Sequence, residues 1–150
     1  MSEVTVSGRI PARVSDVWAV LRVFGDLAWG GIHGTVVEGD GIGCVRIFEA
    51  TGGITIYERL EHIDEERHVL GYSIIDPSPV PWTDYRAEIA LVAADDETDL
   101  RWTGRFEPRN ITEAQADAIV RAIFENGIRN LTRATAAPHA KAAPGIAGNA

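Results

Sequence analysis

A chain of 150 residues, 45% hydrophobic and 24% charged, has the size and make-up of one globular domain. Its formal net charge of −8, with Lys141 as the lone lysine, argues against a nucleic-acid surface or an anionic membrane patch, because both need clustered Lys and Arg. One cysteine excludes an intrachain disulfide, and neither a long apolar run nor a basic-then-apolar start is present, so a cytoplasmic domain with no membrane insertion is expected.

Val4 to Ile10 alternates apolar and polar residues and predicts a half-buried strand, stopped by Pro11. Ser15 or Asp16 is placed to cap a short helix carrying Val17, Trp18, Val20 and Leu21. Phe24-Gly25-Asp26 breaks it, and a second short helix through Leu27 to Trp29 ends at Gly30-Gly31. Strands are then expected at Thr35–Glu38, Cys44–Ala50, Ile54–Ile63, Val69–Ile75, Tyr85–Val92 and Asp99–Phe106. They are separated by glycine, acidic and proline-rich turns at hairpin spacing. The last strong pattern runs from Thr112 to about Arg133, where Ala116, Ile119, Val120, Ile123, Phe124, Gly127, Ile128 and Leu131 recur at helical spacing. Thr112 and Gln115 form a capping box at its start. Gly127 inside this helix costs about 1 kcal/mol against alanine, so a sheet or a ligand is expected to come close there. One domain over residues 1–135 and a disordered tail over 136–150, rich in Ala, Pro and Gly, complete the reading.

Consecutive hairpins predict an antiparallel sheet whose apolar face is covered by the terminal helix, an α+β arrangement. A sheet curled around one helix is expected to leave a hydrophobic cavity for a small molecule. Alternation places Ile54, Ile56, Glu58 and Leu60 on the inner face, with Leu70, Tyr72 and Ile74, then Tyr85, Ala87, Ile89 and Leu91, then Leu100, Trp102, Gly104 and Phe106. If the Thr51-Gly52-Gly53 turn is a three-residue loop, Arg46 lies opposite Glu58, and Cys44 and Phe48 share its face. A one-residue slip would instead turn Arg46 to solvent. The polar groups of this apolar face are then Arg46, Glu58, Tyr72 and Tyr85. Its ligand-contacting walls are expected to be Phe48, Ile56, Leu60, Ile74, Ala87, Trp102, Phe106, Phe124 and Gly127, with Trp29 and Trp82 at the rim.

Other motifs carry no chemistry. Gly39-Asp40-Gly41-Ile42-Gly43 lies between strands with no helix behind it to hold a phosphate. His33, His62, His68 and Cys44 lack metal-ligand spacing, and Cys44 has no partner in sequence to activate it.

Ile10-Pro11-Ala12-Arg13-Val14-Ser15-Asp16-Val17-Trp18 with Phe24-Gly25-Asp26 resembles the opening of the polyketide cyclase/dehydrase family, within the START and birch-pollen-allergen helix-grip superfamily. Gly41 to Arg46, Tyr57-Glu58-Arg59-Leu60, Tyr72-Ser73-Ile74, Tyr85-Arg86-Ala87 and Leu100-Arg101-Trp102 are similar to its later segments. The likeness covers about residues 3–133. It implies a seven-stranded antiparallel sheet around a C-terminal helix, with a deep hydrophobic cavity. It also implies a role in biosynthetic metabolism, such as antibiotic biosynthesis, either as a cofactor-free cyclase, aromatase or dehydratase of a polyketide-like or aromatic substrate, or as a non-catalytic carrier. Neither cofactor nor metal is expected, and a homodimer is left open. In the enzymatic reading Glu58 is the general base or acid, and Arg46, Tyr72 and Tyr85 stabilise developing enolate charge.

Overall fold

The computed structural model describes residues 1–142, with side chains to residue 136. Its elements are β1 (Ser2–Ile10), α1 (Val14–Leu21), a 3₁₀ turn (Ala28–Gly30), β2 (Val36–Glu38), β3 (Val45–Ala50), β4 (Ile54–Asp64), β5 (Val69–Ile75), β6 (Trp82–Ala94), β7 (Glu97–Pro108) and α2 (Glu113–Ala142). The strands form one seven-stranded antiparallel sheet in the order β1-β7-β6-β5-β4-β3-β2. Hairpins join β2 through β7 in sequence, and β1 closes on β7 after the two short helical segments. This is a helix-grip fold of the α+β class, with α2 across the inner face of the sheet.

Local chemistry accounts for the ends of the helices. In α2, Thr112 Oγ1 accepts from the Gln115 backbone N–H at 3.0 Å, while Gln115 Oε1 accepts from Thr112 N–H at 2.9 Å, so the expected capping box is formed. Its apolar stripe is narrower than the spacing suggested. Ala116, Val120, Phe124 and Leu131 are fully buried, whereas Ile119 and Ile123 are 42% and 49% exposed. At 100° per residue, those two isoleucines lie on the flank of the helix, outside the strip that meets the sheet. The helix also continues past Arg133 into the stretch expected to be disordered from residue 136, and residues 143–150 of that stretch lie outside the described residues. In α1 the N-cap is Arg13, without a side-chain cap, so Ser15 and Asp16 fall inside the first turn rather than at the cap.

Two extra residues shift which side chains face inward. In β4, Leu60 pairs with Tyr72 and His62 with Gly71, so Glu61 is an additional residue. In β6, Thr83 pairs with Glu107 and Arg86 with Arg105, so Asp84 and Tyr85 together oppose Phe106 alone. Asp84 takes the left-handed backbone conformation this bulge needs, at φ 54°. Counting back by twos from Tyr85 would send Trp82 outward. The bulge turns it in, and Trp82 is buried.

The close approach expected at Gly127 is to the sheet. A Cβ there would lie 2.5 Å from Cζ3 of Trp102. The next residue, Ile128, sits over Gly8 of β1, where a Cβ would lie 3.0 Å from Ile128 Cγ2. Trp102 and Phe124 stack at 4.9 Å with ring planes 14° apart, and a Cβ at Gly104 would lie 2.9 Å from Phe124. Absent side chains at Gly104 and Gly127 therefore let two aromatic rings interlock between helix and sheet. Gly127→Ala is expected to lower thermal stability by about 1–3 kcal/mol through overpacking, despite a helix-propensity gain of about 1 kcal/mol. Thermal denaturation checks this; a raised Tm would contradict it.

Candidate small-molecule site

The register of the β3–β4 hairpin sets the site. Ala50 pairs with Ile54 across Thr51-Gly52-Gly53, and the ladder then places Arg46 opposite Glu58. Both side chains point inward and are buried, at 7% and 8% exposure. Arg46 Nε donates to Glu58 Oε1 at 2.7 Å, Nη2 lies 2.7 Å from the same oxygen as an ion pair, and Nη1 donates to the Phe24 carbonyl at 2.8 Å. The guanidinium also lies 3.9 Å from the Phe24 ring centroid and 5.2 Å from that of Tyr72. Phe24 belongs to the segment after α1, which the sequence shows only as a helix breaker. Its function is to hold the arginine by carbonyl and ring together.

Tyr72, from the centre of β5, extends this polar cluster across the sheet. Its Oη accepts from Trp102 Nε1 at 3.2 Å, and the Tyr85 hydroxyl interacts with it electrostatically. Burial pushes the Tyr72 hydroxyl well above the ordinary phenol value, and the nearby Glu58 charge adds to the shift while Arg46 opposes it. Burial likewise raises Tyr85, with contributions from Tyr72 and Glu58. Both are therefore neutral phenols, able to donate hydrogen bonds but not to act as bases. The indole N–H of Trp102 was foreseen only as a wall; it also orients Tyr72.

An apolar shell encloses these groups. Trp82, Tyr85 and Phe106 form a cluster with centroids 5.6–5.9 Å apart, and Phe106 and Phe124 are fully buried. Ile56, Leu60 and Ala87 are buried, while Phe48, Ile74 and Gly127 are half-buried. By register Ile56 lies beside Phe48, Ile74 beside Glu58, and Leu60 and Ala87 beside Tyr72. Trp29 packs against the core from the 3₁₀ turn, and Trp82 lines an open cleft beside β5 and β6.

Among the described residues are two open clefts large enough for a small molecule, and neither of these is the enclosed chamber expected between helix and sheet. One, of about 450 Å³, lies between the ends of β5 and β6 and reaches Trp82 and Tyr85. The other, of about 680 Å³, crosses the outer face of the sheet among Glu3, His62, Glu88, Arg101 and Arg105. Among the described residues no group of three or more His, Cys, Asp or Glu is placed to hold a metal ion. No described helix is long and apolar enough to cross a membrane.

The fold agrees with the comparisons with known proteins. A seven-stranded sheet gripping a C-terminal helix defines the helix-grip class. The profile described as polyketide cyclase/dehydrase and lipid transport matches residues 1–136, and the chain belongs to that family. A search of the curated proteins returns no match. Among solved structures, XoxI of Bacillus cereus is similar at 27% identity and a TM-score of 0.82, covering 90% of this chain and 96% of its own. An uncharacterised protein from Bacillus thuringiensis is also 27% identical, with a TM-score of 0.81, over 89% of this chain and 98% of its own. Norcoclaurine synthase from Thalictrum flavum, solved with dopamine and hydroxybenzaldehyde, shares the fold at 14% identity and a TM-score of 0.68, covering 88% of this chain and 84% of its own. Family and fold support a small-molecule-binding protein.

The tyrosine environment carries a pH dependence. A phenol whose folded value lies above its unfolded one of about 10.0 contributes in full below that pH. The contribution is lost as pH rises through it. Tyr72 and Tyr85 are expected to ionise only together with loss of structure above about pH 10. Phenolate absorbance followed alongside circular dichroism checks this, and ionisation of either tyrosine in the intact fold would contradict it.

Proposed function

We propose that the protein is a cofactor-free cyclase, aromatase or dehydratase acting on an aromatic or polyketide-like small molecule. The supporting observation is the buried polar cluster in an apolar shell, in which Arg46, Glu58, Tyr72 and Tyr85 meet. Family membership supports the same class of ligand. Holding a flexible chain folded in a near-attack shape supplies several kcal/mol of the barrier, roughly 7–11 at the upper end.

In this reading Glu58 removes or returns the proton at the reacting carbon. Arg46, bonded to Glu58, fixes the position of the carboxylate. Tyr72 accepts from Trp102, so its own hydroxyl proton is free to be offered to an enolate oxygen. In this reading the substrate packs against Phe48, Ile56, Leu60, Ile74 and Ala87, the apolar residues that flank this group by register. Single Glu58→Gln and Arg46→Met variants are expected to lose turnover by about 10²–10⁴-fold, the usual weight of one acid–base group. Steady-state kinetics on an identified substrate checks this, and unchanged turnover in both variants refutes the assignment.

A second reading is favoured by the arginine itself. The guanidinium of Arg46 is engaged by protein atoms, Glu58 and the Phe24 carbonyl, as in a structural pair. The same interior would then bind or carry a hydrophobic molecule without chemistry. Recovery of ligand unchanged after prolonged incubation supports that reading, and conversion that depends on folded protein excludes it.

A further inference from the structure

The cleft of about 680 Å³ lies on the outer face of the sheet, away from Arg46 and Glu58, and strand register builds it. Across five strands, Glu3 of β1 stands opposite Arg105 of β7, and Arg105 opposite Arg86 of β6. Arg86 stands opposite Ser73 of β5, and Ser73 opposite Arg59 of β4. The next row on this face is Thr5, Thr103, Glu88, Gly71 and His62. Arg101 lies one row further along β7.

Elsewhere on this face opposite charges meet across strands, as at Arg9 and Asp99. Arg86 and Arg105 are instead two cations directly opposed, an arrangement that costs stability. Nearby carboxylates satisfy them only in part. Glu3 accepts from Arg105 Nε at 2.7 Å, and among the described residues nothing engages the two terminal nitrogens of that guanidinium. Glu61 is drawn to Ser73 and Arg59, and lies 3.9 Å from Arg86. Both arginine side chains are 69% exposed, so they open onto the cleft they line. Three guanidiniums, of Arg59, Arg86 and Arg105, against the carboxylates of Glu3 and Glu61 leave this row positive, in a chain whose net charge is −8.

An oxyanion seated between Arg86 and Arg105 would accept from both and relieve their opposition. The two oxygens of a carboxylate are filled by one guanidinium fork, whereas a phosphate monoester has three and serves both. Beyond this pair the cleft is walled by polar groups. The Thr5 and Thr103 hydroxyls lie 3.1 Å apart, Glu88 and His62 stand to the other side, and Gly71 leaves the floor open between them. Arg101 closes the far end, about 14 Å from Arg105 at about 3.4 Å per residue. Glu88 accepts from hydroxyl groups and repels a second anion, so the body of the ligand carries hydroxyls there.

We infer that the outer-face cleft binds the phosphate monoester of a small polyol such as a sugar. The phosphate lies across Arg86 and Arg105, and the hydroxyls reach Glu88 and Thr103. This is a second site on the opposite face of the sheet, and it does not depend on the reading of the interior.

The test titrates the full chain, labelled with nitrogen-15, with ribose 5-phosphate at constant ionic strength. The expected result is saturable amide shifts centred on Gly71, Glu88 and Thr103. Arg86→Gln and Arg105→Gln are each expected to weaken binding about tenfold, and inorganic phosphate to bind about tenfold more weakly than the ester. Arg9→Gln, whose arginine pairs with Asp99 outside the cleft, is expected to leave affinity unchanged. The same shifts with sodium chloride in place of the ester overturn the inference, and so does unchanged affinity in both arginine variants. Equal affinity for inorganic phosphate overturns the assignment of a hydroxyl-bearing ligand. Shifts confined to Phe48, Ile56 and Ile74 place the ester in the interior and overturn the outer site.

Discussion

The buried pair of Arg46 and Glu58 is the interaction on which the site depends. Placing two charges at under 10% exposure costs several kcal/mol each in desolvation. The fold offsets this by directing several partners at the arginine: a carboxylate that accepts from Nε and pairs with Nη2, a main-chain carbonyl that accepts from Nη1, and an aromatic ring beneath it. Those partners come from separate parts of the chain. Glu58 fixes the register of β3 on β4, and Phe24 ties the segment after α1 to the same point. A slip of one residue along the hairpin would strand the glutamate inside and send the arginine to solvent, so the pair selects one register as well as forming a polar centre.

The aromatic interlock of α2 with β7 sets the depth of the interior. Trp102 stacks on Phe124 over Gly127, and its indole N–H faces the opposite way, onto Tyr72. One side chain thus both seats the helix and orients a phenol of the polar cluster. Helix position and hydroxyl geometry are linked through this ring, so packing changes on α2 are felt at Tyr72. The two phenols are kept neutral by the dryness that the same packing creates.

Much of this arrangement was legible in the sequence, because period-two alternation and hairpin spacing state directly which residues share a face. The three-residue turn at Thr51-Gly52-Gly53 was enough to set Arg46 against Glu58. The Thr112–Gln115 capping box was legible because each of its groups has a single partner within reach. The bulges were not legible, since an extra residue such as Glu61 or Asp84 has no compositional mark, and Trp82 turns inward only because of one. Ile119 and Ile123 fit a helical stripe by spacing but fall outside the strip the sheet covers. Phe24 was hidden because its polar contribution is a carbonyl, which every residue has. An enclosed chamber was expected from the curl of the sheet. Face assignment gives the residues that point inward, not the volume left once Trp102, Phe124, Trp82 and Phe106 have packed.

The central claim is that this buried polar centre handles a small molecule. The most direct measurement is native mass spectrometry with a panel of aromatic ketones and polyketide-like chains. It compares the natural protein with the Arg46→Met/Glu58→Leu double variant, in which apolar groups of similar size replace the pair and leave no unpaired charge. The account predicts that the natural protein retains a member of the panel and that the folded double variant does not. Equal retention by the two proteins would contradict it.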